Sequence, residues 1–189
     1  MVNIEEIKNI MQERLPPTRY AHSQNVAEEA KNLAIHYGEN GDKAYLAGIL
    51  HDYAKGLAAQ ELITIAEEYN LIEDKIEYLI PDILHARVGA RLLREDKITS
   101  DSLILTAIAR HTLGDANMSD FDKIIFLADL IEPSRDYPLR ERLHCIAYKQ
   151  LDDAMLVGLE LTIKHCLDNK RLLHPKTIQV RNIFLEKQY

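Results

Sequence analysis

The sequence predicts an all-α fold, a helical bundle built as one domain over residues 1–189. Apolar residues recur with the 3.6-residue period of amphipathic helices along most of the chain. No segment keeps the strict alternation of a half-buried strand. Only 7 Gly and 6 Pro occur in 189 residues, which suits helices joined by short loops. With 47% hydrophobic and 28% charged residues, the chain is apolar enough to fold and long enough for one well-formed core. No repeat or linker divides it.

The elements follow from apolar spacing and punctuation. Residues 3–14 form a helix through Ile4, Ile7 and Ile10, ended by Pro16-Pro17. The next runs from about Thr18 to Tyr37, with Val26, Ala30, Leu33 and Tyr37 on one face. "GENGD" is the turn after it, and Asp42 is the expected cap of a helix carrying His51-Asp52, with Gly56 as its stop. Two more helices are expected at 58–69 and 73–79, broken at Pro81. Asp82 is the expected cap of "ILHARVGARLLRED" and Ser100 that of "DSLILTAIARH", with "LGDANM" as a loop. Ser119 and Asp122 have capping-box spacing before "KIIFLADLIE", which Pro133 ends. Pro138 opens a long helical stretch to about Asn169, with a break expected near Gly158, and a last helix follows "HPKT".

Composition excludes several functions. A net charge of −7 argues against a general nucleic-acid binder, while leaving room for a local cationic pocket. The N-terminal "MVNIEEIKNIMQERL" is charged and amphipathic, unlike a signal peptide, and "IIFLADLI" is too short to span a bilayer. Cys145 and Cys166 stand twenty-one residues apart without a C-x-x-C motif, so they are expected as reduced structural thiols. A cytoplasmic protein is expected, without a membrane partner.

Some polar residues interrupt apolar stripes. In "AGILHDYAKG", His51 and Asp52 follow directly on Ile49 and Leu50. Asp129 lies inside "IIFLADLI", one turn after Ile125. Leu103, Ala107 and His111 fall at i, i+4 and i+8, so an imidazole ends a core stripe; His22 precedes Val26, and His85 precedes Gly89, by one turn. An ionised carboxylate on a buried stripe costs on the order of several kcal/mol unless paired or metal-bound. For Asp129 a solvent-facing position on a helix with a wide apolar face is the competing explanation. Imidazoles and carboxylates together suit iron, zinc or manganese. His22 and Asp129 are the best-placed additions to His51-Asp52, while His36, His144 and His165 have no such context. Neighbouring residues lie about 100° apart on a helix, so His51 and Asp52 are expected to meet one point only from a helix edge.

The ordered set His22 … His51-Asp52 … Asp129 resembles the HD-domain metal phosphohydrolases. "RYAHSQNVAEEAKNLA", "AGILHDYAKG", "LHARVGA", "AIARHTLG", "KIIFLADLIEPSRDYP" and "LLHPKTIQVRN" together resemble its YqeK-type branch, from about residue 18 to 183. The resemblance implies an HD-domain bundle, with a motif-bearing core over about 18–135 and C-terminal helices from 138 packed on it. It implies symmetrical hydrolysis of dinucleoside tetraphosphates, above all diadenosine tetraphosphate to two ADP. It also implies bound iron, one ion being favoured, on His22, His51, Asp52 and Asp129; the same ligands accept manganese, cobalt or zinc. Arg19, Lys55, His85, His111, Thr112 and Arg135 would face the phosphates beside His22 and Asp129. The segment from His174 with Pro175 and Thr177 would lie near the nucleoside.

The chemistry is consistent with the spacing. Arg19 lies one turn before His22 and Lys55 one turn after His51, so each cation shares a face with a proposed ligand. His85 and His111 are expected to hold and protonate phosphate oxygens, and Asp52 or Asp129 to orient the nucleophile; a second metal on the two histidines is the alternative. A mononucleotide-directed nucleotidase or triphosphohydrolase would use the same ligands. A non-catalytic nucleotide sensor and a purely structural helical protein are the other readings. A homodimer through the 138–169 stretch is possible on the sequence pattern.

Overall fold

The computed structural model describes residues 3–189. Its described residues form ten α-helices and two 3-10 turns, with no strand. In order they are α1 (Ile4–Arg14), α2 (Pro17–His36), α3 (Gly41–Leu50), α4 (Ala59–Glu68), α5 (His85–Glu95), α6 (Ser102–Arg110), α7 (Asp120–Ile131), α8 (Arg140–Ala147), α9 (Leu151–Asp168) and α10 (Pro175–Glu186). The 3-10 turns, Lys75–Tyr78 and Pro81–Leu84, fill the connection between α4 and α5.

Most of the expected helices are present; the differences lie in their caps, in the 73–79 segment and in the 138–169 stretch. Asn40, not Asp42, caps α3, its Oδ1 accepting from the Lys43 backbone N at 2.9 Å. Asp42 instead lies within the first turn, where its charge favours the positive end of the helix dipole. Asp101, not Ser100, caps α6 through a 2.9 Å bond from Leu103 N. The Ser119 capping box forms as spaced, with both reciprocal bonds made. The segment expected as a helix at 73–79 is only one 3-10 turn, because Asp74 starts it and Pro81 begins the next turn. A second 3-10 turn replaces the Asp82-capped start, so α5 begins at His85.

The expected long stretch is two helices, broken at residues 148–150 rather than at Gly158. Gly158 is inside α9, where a Cβ would come within 2.9 Å of Leu130 Cδ1 on α7. That atom is the free end of a flexible side chain, so a methyl at 158 would ask only Leu130 to turn aside.

α7 is the axis of the bundle and packs against α2, α3, α6, α8 and α9. Every residue from Phe121 to Ala128 is buried. Each large side chain buried there is worth about 1.5–3 kcal/mol relative to exposure. A smaller apolar cluster of Ala54, Leu62, Ala66, Leu84 and Val88 seats α4 on the α5 side. Both cysteines are free. Among the described residues, no helix is long and apolar enough to cross a membrane.

The α2–α3 contact sets the spacing of the site residues that these helices carry. At Gly48 an added Cβ would lie 2.6 Å from Ala27 Cα and 2.9 Å from Ala27 N, both backbone atoms that cannot move independently. Gly48→Ala is therefore expected to destabilise the fold by about 1–3 kcal/mol through forced separation of the two helices. Urea unfolding followed by circular dichroism checks this; an unchanged midpoint would contradict the close approach.

Candidate metal centre

His22, His51, Asp52, His85, His111 and Asp129 come from five separate parts of the chain and meet in the bundle interior. His22 is on α2 and Asp129 in the last turn of α7. His51 and Asp52 are adjacent at the C-terminal end of α3 and both are buried. His51 keeps helical backbone, with φ −55° and ψ −36°, and the chain continues in tight turns with bonds from Tyr53 N to Leu50 O and from Lys55 N to Asp52 O. His85 opens α5 and His111 directly follows α6. The four histidines and Asp52 are at most 7% exposed, and the Asp129 side chain is 19% exposed.

Donor atoms of His22, His51 and Asp129 lie within 4.8 Å of one another, as do those of His51, Asp52 and His111. Asp129 Oδ1 is 3.0 Å from His22 Nε2 and 3.9 Å from His51 Nε2. Asp52 divides its two oxygens: Oδ2 is 3.4 Å from His51 Nε2, and Oδ1 is 3.2 Å from His85 Nε2. His85 Nε2 and His111 Nε2 are 3.1 Å apart.

All four rings are held from behind by Nδ1. His51 donates to Gly48 O at 2.7 Å, His85 to Asp82 O at 2.5 Å and His111 to Ile108 O at 2.7 Å. His22 Nδ1 instead faces Glu132 Oε1 at 2.9 Å. These bonds fix the tautomer that leaves each Nε2 facing the centre, the arrangement that orients imidazole metal ligands.

Burial by itself raises the Asp52 carboxyl, but the facing His51 and His85 outweigh it and hold it well below the usual carboxylate range. For Asp129, burial is likewise overcome by the His22 contact and then by the Arg135 and His51 charges. Both carboxylates are thus ionised at neutral pH. Burial lowers His51, and the Asp52 and Asp129 charges with the Gly48 carbonyl bring the net shift upward. His111 falls to about 3, first through burial and then through the His51 and His85 charges. A neutral His111 that donates from Nδ1 keeps a lone pair on Nε2.

The donor set fits a divalent metal. His22 Nε2 and His51 Nε2 are buried without a hydrogen-bond partner, although carboxylate oxygens lie near them. Buried polar atoms are otherwise nearly always satisfied, so two orphaned nitrogens facing two ionised carboxylates make a ready cation site.

Cations and lesser candidates surround this cluster. Arg19 donates to Asp52 Oδ2 at 3.1 Å, and Arg135 pairs with Asp129 through its guanidinium. Lys55 bonds Asp82 at 2.8 Å and reaches within 3.4 Å of His85 Nδ1. Thr112 Oγ1 is 3.4 Å from His111 Nε2. His174 is different: both ring nitrogens are engaged, Nδ1 capping α10 and Nε2 facing Glu77 Oε1 at 3.1 Å. Thr177 is buried one turn along α10, and Pro175 is exposed at its start. Neither His174 nitrogen remains for a ligand.

Glu132 was not legible as part of the site. It is fully buried and contacts His22, Asn25 and Ser134. Its signal was a carboxylate three residues after Asp129 at the end of the apolar run, which Pro133 made look like a mere helix stop.

The HD domain family model matches residues 19–134, the span that contains every residue of this cluster. This chain belongs to the HD-domain family. It is 38% identical over 179 residues, 95% of each chain, to a symmetrical bis(5'-nucleosyl)-tetraphosphatase of Halalkalibacterium halodurans. It is 35% identical to the Staphylococcus aureus protein of the same name, with 97% of this chain and 95% of that one covered. A Clostridium acetobutylicum crystal structure, described as a predicted HD superfamily hydrolase involved in NAD metabolism, is 33% identical. It superposes with a TM-score of 0.94 over 99% of both chains.

The HD family and the His/Asp cluster together imply a divalent metal centre. Glu132→Ala is expected to weaken manganese binding about 10–100-fold, because His22 loses the carboxylate that orients it. Equilibrium dialysis with elemental analysis measures this, and unaltered affinity would reduce Glu132 to a structural role.

Proposed function

We propose that this protein hydrolyses dinucleoside tetraphosphates symmetrically, diadenosine tetraphosphate to two ADP, with iron bound by His22, His51, Asp52 and Asp129. The observation that carries this reading is the buried convergence of two orphaned imidazoles with two ionised carboxylates, rimmed by Arg19, Lys55 and Arg135. Full-length similarity to enzymes named for that reaction supports the substrate class.

Phosphoanhydride cleavage needs an activated water, neutralised phosphate charge and a positioned chain. A bound metal ion would supply a low-pKa water and part of the charge neutralisation. The protein's own groups supply the remainder. Arg19 and Arg135 present guanidinium donors that match phosphate oxygens, and their contacts with Asp52 and Asp129 anchor them at the centre. Asp52, ionised and with an oxygen toward either side, can orient the attacking water.

His85 turns its Nε2 to the Asp52 carboxylate at 3.2 Å, where it can contact a phosphate or leaving-group oxygen beside that carboxylate. Neutral His111, with its lone pair on Nε2, accepts a proton or hydrogen bond more readily than it gives one. One observation favours a second metal instead: Asp52 turns one oxygen to His51 and the other to His85, whose Nε2 lies 3.1 Å from that of His111. On that reading, His85→Ala halves the bound metal; on the first it leaves one equivalent unchanged.

Asp129→Ala, His51→Ala and Asp52→Ala are each expected to lose bound iron and nearly all activity, whereas His36→Ala and His144→Ala behave as the parent. Elemental analysis beside product chromatography checks the set, and a variant keeping both metal and rate leaves it. Arg19→Ala and Arg135→Ala should keep the metal and lose about 1.5–3 kcal/mol of transition-state binding each, read from kcat/KM. Hydrolysis in oxygen-18 water should yield ADP alone, with label in half its molecules. AMP plus ATP would overturn the symmetrical register, and turnover confined to mononucleotides would overturn the substrate.

A further inference from the structure

A cleft of about 850 Å³ opens beside the metal centre, within the ~300–1,000 Å³ typical of small-molecule sites. It lies between the first turn of α2, the segment after α7 and the C-terminal half of α9. Its inner end is formed by His22, Arg19 and Arg135, the groups that meet the metal and phosphates in the reading above. Its outer walls mix two kinds of surface: Leu130, Tyr137, Leu139 and Leu161 are apolar, while Thr162, His165 and Asn169 add polar groups that can hydrogen-bond a base or ribose. Lys55, His85, His111 and His174 do not line it.

The walls select a ligand. Tyr137 donates its hydroxyl to Leu130 O at 3.0 Å, so the phenol is spent on the backbone and the ring is what it offers to the cleft. Lys164 is the one lysine on the wall, and it pairs with Asp168. Beyond Arg19 and Arg135 the cleft therefore combines aromatic and aliphatic surface with neutral polar groups and the carboxylates of Asp136 and Asp168, a lining that suits a base and ribose better than further phosphates. Leu139, 39% exposed, presents apolar surface to the cleft.

We infer that this cleft is a nucleoside subsite: it holds the base and ribose of one half of a dinucleoside polyphosphate, the base against Tyr137, while that half's phosphates pass Arg19 and Arg135. The inference rests on the dinucleoside reading above. A symmetrical substrate carries a nucleoside at each end of its phosphates, so it needs a second base site that a mononucleotide leaves empty. Base–aromatic stacking tolerates any base, which makes the cleft a reader of the second nucleoside's presence more than of its identity.

The test compares metal-loaded parent, Tyr137→Ala and Leu139→Gln on two substrates. Diadenosine tetraphosphate fills both ends; adenosine tetraphosphate offers the same central bond with one nucleoside. Both variants should raise KM for diadenosine tetraphosphate at least tenfold and change kcat/KM for adenosine tetraphosphate by less than twofold. Calorimetry with ADP should give two equivalents per chain for the parent and one for Tyr137→Ala. Leu139→Gln alters an exposed side chain, so its result stands if Tyr137→Ala fails to fold. Equal losses on both substrates, no loss on either, or the same ADP stoichiometry in parent and variant would overturn the subsite. A parent that cleaves adenosine tetraphosphate but not diadenosine tetraphosphate would overturn the dinucleoside reading itself.

Discussion

His22, His51, His85 and His111 each commit Nδ1 to an acceptor behind the ring, Glu132 for the first and the carbonyls of Gly48, Asp82 and Ile108 for the others. Three of those carbonyls belong to the turn or helix end that carries the histidine. The backbone thus orients the ring before any ligand arrives. With Nδ1 occupied, the lone pair or proton on Nε2 has one direction left, the space shared by Asp52 and Asp129. Imidazoles free to rotate would spend binding energy on ordering, so this anchoring is what makes the centre pre-formed.

Such a cluster is costly inside an apolar bundle, and its surroundings show how the cost is met. Two carboxylates stay ionised because imidazoles and guanidiniums outweigh their desolvation. Arg19 and Arg135 lie at the border between interior and solvent, with about a third of each side chain exposed. They can compensate the buried carboxylates while still reaching a phosphate. Burying them fully would have removed that second role.

The centre is asymmetric. On one side Lys55, Asp82, His85 and His111 form a polar wall of titratable groups. On the other, His22, Arg19 and Arg135 open toward aliphatic and aromatic surface. Gly48 serves this layout at a distance, by letting α3 approach α2. A methyl group there would displace the helix that carries His51 without touching a catalytic atom.

The all-α class, the helix faces and the residues His22, His51, Asp52 and Asp129 were legible in the sequence. Each shows itself as an interruption of a 3.6-residue apolar stripe, and that period is a local property of the chain. Cap identities at Asn40 and Asp101 were missed by one or two residues, since Ser, Asp and Asn compete for the same role over adjacent positions. Periodicity says that a face is buried but not what buries it. Only the tertiary structure decided that Glu132 stands behind His22 and that Asp52 divides its oxygens between His51 and His85. It also turned the His174 nitrogens to Glu77 and a helix cap, and it built a cleft from segments more than a hundred residues apart. Those outcomes depend on distances between elements that no local spacing encodes.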